Sequence, residues 1–114
     1  MSTVTPSDEL IIVLVTTPPG ETARAIARRL VDSQLAACVN MVSSVESIYR
    51  WQGQRCEEAE WLLVIKTRQS LFERLAAEVK ALHSYTVPEI IALPITAGAP
   101  DYLQWICEST PINR

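Results

Sequence analysis

Six consecutive apolar residues, Leu10-Ile11-Ile12-Val13-Leu14-Val15, stand near the start of this 114-residue chain and restrict what it can fold into. The run is β-branched and too short for a stable helix, and Thr16-Thr17-Pro18-Pro19-Gly20 ends it, so it reads as a strand. Successive side chains of a strand point to opposite faces, which sets Leu10, Ile12 and Leu14 against Ile11, Val13 and Val15. Both faces are apolar. A second run, Glu57 to Thr67, repeats the pattern, with Ala59, Trp61, Leu63 and Ile65 alternating with Leu62 and Val64. An antiparallel sheet with one wet face would instead read apolar-in, polar-out. The sheet these strands build needs cover on both sides.

The intervening segments supply one cover. From Glu21 to Leu35, Ala23, Ile26, Ala27, Leu30 and Val31 recur at helical spacing, with Arg24, Arg28, Arg29 and Asp32 on the other faces. Cys38 to Trp51 reads as a long strand, Gln52-Gly53-Gln54-Arg55 as a reversal, and Glu57 to Thr67 as its hairpin partner. Leu71, Leu75, Ala76 and Val79 form the stripe of a second helix, with Ser70 as its cap and His83 just beyond its last turn. Ile90 to Thr96 is a fourth strand, and Pro94 assigns it to an edge, where a missing amide donor costs least. Asp101 to Cys107 forms a short closing helix. The order β-α-β-β-α-β predicts an α+β fold, the ferredoxin-like βαββαβ sandwich, with both helices on one face and strands two and four at the edges. Residues 1–8 read as a disordered lead-in, 9–108 as one domain and 109–114 as a tail.

Two helices leave the second face of the sheet bare, and a closing helix of about two turns is too small to cover it. Burying one such side chain is worth roughly 1.5 to 3 kcal/mol, so five or six left in water forfeit much of a small domain's stability. Self-association is the simplest remedy. At roughly 3.3 Å per residue the second strand also reaches about 40 Å, longer than usual, so Ser47 to Trp51 should project as an arm onto a neighbour.

A net charge of −3 gives no electrostatic reason to bind a polyanion, which excludes nucleic acid and anionic membrane as expected partners. No segment is apolar for long enough to span a bilayer, and the first residues lack a secretory pattern. Cys38, Cys56 and Cys107 show no CxxC spacing, which indicates neither a disulfide framework nor structural zinc and leaves the cytoplasm as the expected compartment. There is no P-loop, HExxH or GxSxG, no cation in Thr16 to Gly20 for an acylphosphatase-like phosphate loop, and no RNP1 pattern; the chain reads as a non-enzyme.

The densest chemistry lies in His83-Ser84-Tyr85-Thr86-Val87-Pro88-Glu89. It holds the single histidine, a phenol and a carboxylate on backbone that Pro88 stiffens. Tyr49 and Trp51 are suited to lining a cleft or anchoring an interface. Lys66, at the polar end of an apolar strand, reaches an anionic ligand or pairs with Glu60 or Glu89. Cys38 reads as a packed thiol and Cys56 as an exposed one open to oxidation or soft metals.

Leu35-Ala36-Ala37-Cys38-Val39-Asn40, Ser47-Ile48-Tyr49-Arg50-Trp51-Gln52-Gly53, Lys66-Thr67, His83-Ser84-Tyr85 with Pro88-Glu89, and Asp101-Tyr102-Leu103-Gln104-Trp105 together resemble the CutA divalent-cation-tolerance family. The resemblance implies a ferredoxin-like subunit in a homotrimer similar to the PII signalling proteins, with clefts between subunits and a link to copper and other divalent ions. Some members carry a cysteine in the first strand and a second histidine beside the first; Val15 and Leu82 stand at those positions here, and Ser84 stands where proline is frequent. On this reading His83 and Glu89 are the expected donors for Cu(II) or another divalent cation, which accepts imidazole nitrogen and carboxylate oxygen. The alternative is a PII-like carrier or signalling protein holding a small anionic or organic molecule in an intersubunit cleft near Lys66, Tyr85, Glu89, Tyr49 and Trp51.

Overall fold

A computed structural model of the protein describes residues 8–112. β1 (Leu10–Thr17), α1 (Glu21–Asp32), β2 (Cys38–Trp51), β3 (Gln54–Arg68), α2 (Phe72–Leu82), β4 (Ile90–Pro94) and α3 (Pro100–Ser109) follow one another, with a 3-10 turn at Gln69–Leu71 leading into α2. The four strands form one antiparallel sheet in the order β2-β3-β1-β4. This is the ferredoxin-like arrangement, with β2 and β4 at the edges and Pro94 closing β4 on the outer side.

The core lies between the sheet and the two longer crossover helices. Ile11, Val13 and Val15 of β1 and Leu63 and Ile65 of β3 point into it, where they meet Ile26 and Leu30 of α1 and Leu75 and Val79 of α2. Val31 does not join them and is 42% exposed; consecutive helix positions lie about 100° apart, so Leu30 and Val31 cannot both face the sheet. Arg29 donates to Glu78 at 2.6 Å and links the outer sides of α1 and α2.

The helix ends differ from the sequence reading for identifiable reasons. α1 stops three residues before Leu35 because Gln34 enters the left-handed region at φ 61. The Leu35 amide then bonds Leu30 O at 2.9 Å and the Gln34 amide bonds Val31 O at 3.0 Å, the paired pattern of a Schellman motif. Ser70 does not cap α2: its hydroxyl turns to Asp8, and Leu71 occupies the N-cap position without a side-chain bond. The hairpin reversal is two residues, Gln52 and Gly53, at φ 52 and 77, a type I′ geometry that matches the strand twist; Gln54 and Arg55 belong to β3.

β2 and β3 run on past the rest of the sheet as an arm, which gives the molecule extents of 52 × 25 × 22 Å. On the open face, Leu10, Ile12, Leu14, Leu62 and Val64 are half-buried and Ile91 and Leu93 are exposed. One end of that face is covered by α3, whose Ile106 is fully buried and which packs on β3. This helix is longer than expected and its last turn is clamped by Arg68, so the anticipated tail begins with Ser109 in a helix and with a fully buried Thr110. Residues 1–7 of the expected lead-in, and the last two residues of the tail, lie outside the described residues. Asp8 is engaged, 3.9 Å from Arg68.

Candidate functional site

The segment between α2 and β4 is held against the sheet by a relay of hydrogen bonds. His83 leaves α2 in an extended conformation, with its amide on Val79 O at 2.8 Å. Its ring nitrogen Nε2 lies 2.7 Å from Thr16 O. A carbonyl oxygen only accepts, so in the neutral ring the proton resides on Nε2 and the lone pair on Nδ1. Nδ1 accepts the Tyr85 amide at 3.1 Å, and the two rings sit 4.5 Å apart. Tyr85 in turn donates its hydroxyl to Glu60 Oε2 at 2.7 Å. Partial burial, followed by the Glu60 carboxylate, pushes the Tyr85 phenol well above its ordinary range.

A second tyrosine–carboxylate pair lies on the arm, where Tyr49 donates to Glu58 at 2.9 Å. The bond to Glu58 is the leading reason that the Tyr49 phenol is pushed up to about 12. The register brings these pairs to one side. Val42 faces Leu62 and Val45 faces Glu60, so β2 uses three steps where β3 uses two. The extra residue is a β-bulge at Ser43-Ser44, with Ser44 at φ 64. Before the bulge, Asn40 and Val42 share the open face; after it, Val45, Ser47, Tyr49 and Trp51 do. Without the bulge, Tyr49 and Trp51 would face away from Glu58 and Glu60.

The result is a cleft of about 690 Å³. Its walls are Ser47, Ile48, Tyr49 and Trp51 of the arm, Glu58 and Glu60 of β3, Thr16 of β1, and Ser84, Tyr85, Thr86, Val87 and Glu89 of the α2–β4 segment. Of the residues anticipated from sequence, Tyr49, Trp51, Tyr85 and Glu89 meet here. His83 stands behind the wall as the support of Tyr85.

Within one copy Lys66 neither lines the cleft nor pairs with Glu60 or Glu89; the cleft expected from the sequence lies between subunits. Lys66 pairs in register with Cys38, donates to the Asn40 side-chain oxygen, and sits six residues along β3 from Glu60, roughly 20 Å away. Cys38 and Cys56 are both half-buried and free, and they pair with β3 positions ten residues apart or lie on that strand themselves. At roughly 34 Å they cannot share a metal within one chain. Among the described residues no group of three or more His, Cys, Asp or Glu side chains is gathered closely enough to hold a metal ion.

Sequence reasoning did not place Glu58, Glu60 or Thr16 in the cleft, and read Glu60 only as a partner of Lys66. A signal was present: Glu58 and Glu60 share strand parity with Leu62 and Val64, so they are acidic residues on a face that is otherwise apolar.

These elements define a ferredoxin-like α+β protein with a projecting hairpin arm and an acidic, aromatic cleft at its base. Residues 11–109 match the family model described as CutA1 divalent ion tolerance protein, and the chain belongs to that family. It is similar to a divalent-cation tolerance protein CutA from Thermus thermophilus, at 54% identity over 87% of this chain and 96% of the relative. The chloroplastic CutA of Arabidopsis thaliana is 51% identical over 88% of this chain, which spans 55% of that longer protein. Among solved structures, the CutA1 of Oryza sativa superposes with a TM-score of 0.90 at 45% identity, covering 96% of this chain and all of that one. The Thermus thermophilus structure gives 0.88 at 53% identity, covering 90% and 99%. No helix among the described residues is long and apolar enough to cross a membrane.

Proposed function

We propose that this divalent-cation tolerance protein acts by binding copper or another divalent cation, without catalytic turnover, as a homotrimer. The observation that carries the metal reading is the setting of His83. Metal-bound imidazoles usually donate their second nitrogen to a carbonyl or carboxylate, which fixes the tautomer and aims the free lone pair. Thr16 O plays that part for Nε2 at 2.7 Å, and Nδ1 has only the amide of a loop residue to give up. Glu89, exposed six residues on, is the anionic donor of the same segment, and a neighbouring copy completes the set. Val15 and Leu82 contribute no donor, so affinity rests on fewer ligands than in relatives with a cysteine and a second histidine.

The trimer reading rests on the open face and arm. Ile91, Leu93, Ile48 and Trp51 are between 44% and 67% exposed, on an edge strand and a projecting hairpin suited to packing against a second copy. The three free cysteines suit a reducing cytoplasm. An anionic ligand, the PII-like alternative, is disfavoured because each copy brings three glutamates to the cleft.

Titration of the metal-free protein with Cu(II), read by calorimetry, tests the metal reading: about one site per chain is expected, lost in His83→Ala. Unchanged binding in that variant refutes the assignment. Sedimentation equilibrium at low micromolar concentration should give three chains per particle, and a stable monomer would overturn the assembly.

A further inference from the structure

Arg50 and Arg55 stand directly opposite each other at the end of the arm, one pair back from the Gln52-Gly53 turn. Like charges so placed repel and weaken a hairpin. Arg50 reaches only Gly53 O, at 3.5 Å, and the exposed Arg55 meets Glu57 at 3.1 Å, so two cations share one carboxylate. Arg50 alternates with Tyr49 and Trp51, which sets the arginine pair on the other side of the arm from those rings. α3 carries the complement. Asp101, Trp105 and Glu108 follow one another at i, i+4 and i+7 and make one stripe of that helix, with the Tyr102 ring 5.4 Å from that of Trp105. Ile106 is fully buried on the sheet side, while Tyr102 and Trp105 are 44% and 41% exposed. The helix has no Lys or Arg. Its carboxylates accept neutral donors, Asp101 the Tyr102 amide at 2.9 Å and Glu108 the Gln104 side chain at 3.0 Å, and neither forms an ion pair among the described residues.

We propose that the arm tip of one copy docks on α3 of another, with Arg50 and Arg55 among the Asp101 and Glu108 carboxylates and a guanidinium laid on the Trp105 ring. Arginine suits both contacts, because its planar fork binds carboxylates and its face stacks on aromatic rings. A chain cannot make this contact with itself. Arg68, which holds the end of α3, and Gln54, at the arm tip, are opposite ends of β3, roughly 45 Å apart. A second copy brings both charge signs to the right surfaces, and the arm is already the element whose Trp51 and Ile48 await a neighbour. Each copy then offers one arm and one helix, so every member of a closed ring satisfies both.

The contact rests on self-association but not on the number of chains, so the two readings fail separately. Sedimentation equilibrium of the full chain over a range of concentrations measures it. Arg50→Glu with Arg55→Glu should raise the concentration of half-dissociation roughly tenfold or more, through like-charge contact with α3, and Asp101→Lys with Glu108→Lys should do the same. All four substitutions in one chain should return assembly toward that of wild type. Circular dichroism checks each fold; if the reversed arm is misfolded, Arg50→Gln at the same exposed position replaces it, with a smaller rise. A wild-type particle of two or four chains that obeys the charge swap supports the contact and refutes only the trimer. The proposal is overturned if the wild type does not associate, if the reversed chains assemble as it does, or if the fourfold variant assembles no better than the pairs.

Discussion

Arg68 fastens the C-terminal end of α3 to the sheet through hydrogen bonds, and replacing it with methionine isolates that function. Its side chain is 14% exposed. Nε donates to Thr110 O at 2.7 Å and Thr110 Oγ1 at 3.1 Å, and Nη2 donates to Cys107 O at 2.6 Å. The last four carbonyls of a helix have no partner within it. Here Cys107 O and Thr110 O are supplied by the guanidinium, and Ile106 O by the Thr110 hydroxyl at 2.7 Å. Methionine keeps most of the aliphatic packing and removes every donor. Two short charge-assisted bonds are worth about 1.5 to 3 kcal/mol each, but the freed carbonyls recover water once the end of α3 frays, so we expect a net loss of about 3 kcal/mol. Against the roughly 5 to 15 kcal/mol typical of a domain, that is roughly a fifth to three-fifths of the total. Urea unfolding of wild type and Arg68→Met measures the loss, and hydrogen exchange locates it. Amides of α3 should lose protection while those of β1 and α1 keep it. A loss below about 1 kcal/mol, or one with α3 as protected as before, refutes the clamp. Arg68→Lys should recover no more than part of the loss, because one ammonium cannot span both carbonyls in the same fork.

Gln34→Gly relieves a left-handed backbone at the end of α1 and should stabilise the fold by roughly 0.5 to 1 kcal/mol in the same urea assay; no gain would mean that Gln34 holds the conformation without strain. Tyr49 has a folded pKa near 12, above the ordinary 10.0, so the fold favours its protonated form. Its contribution is complete below pH 10 and is lost as pH rises through about 12. Phenolate absorbance developing below pH 11 should therefore be the same in wild type and Tyr49→Phe, and a smaller signal in the variant would refute the bond to Glu58. Deleting Ser44 removes the extra residue of the bulge, turns Tyr49 away from Glu58, and should return its phenol to the ordinary range in that titration.

The bulge also marks where sequence reading stops. The apolar runs of β1 and β3, the helical stripes and Pro94 each obey a local rule of periodicity or backbone chemistry, so element order, sheet class and the surplus apolar face were legible. The termini of α1 and α2 were less so: a glutamine in the left-handed region carries no compositional mark, and the 3-10 turn at Gln69–Leu71 displaced Ser70 from the cap. Lys66 stands apart from the cleft of one copy for a different reason. A lysine at the end of a strand looks available to any anion, and only the register, which sets it opposite Cys38 and beside Asn40, shows that it belongs to the far end of the sheet.

Of the cleft's members, those in unusual local sequence (Tyr49, Trp51, Tyr85, Glu89) could be nominated singly, but their convergence depends on one inserted residue in β2 and on the contact between His83 and Thr16 O. Neither leaves a periodic signature. The same two features set the surroundings of the cleft's carboxylates. The bulge delivers a phenol to Glu58 and the His83 relay delivers one to Glu60, so each carboxylate accepts a neutral donor on one oxygen. Neutral donors on two different elements thus hold the arm and the α2–β4 segment against the same strand, which is what gives the cleft its walls.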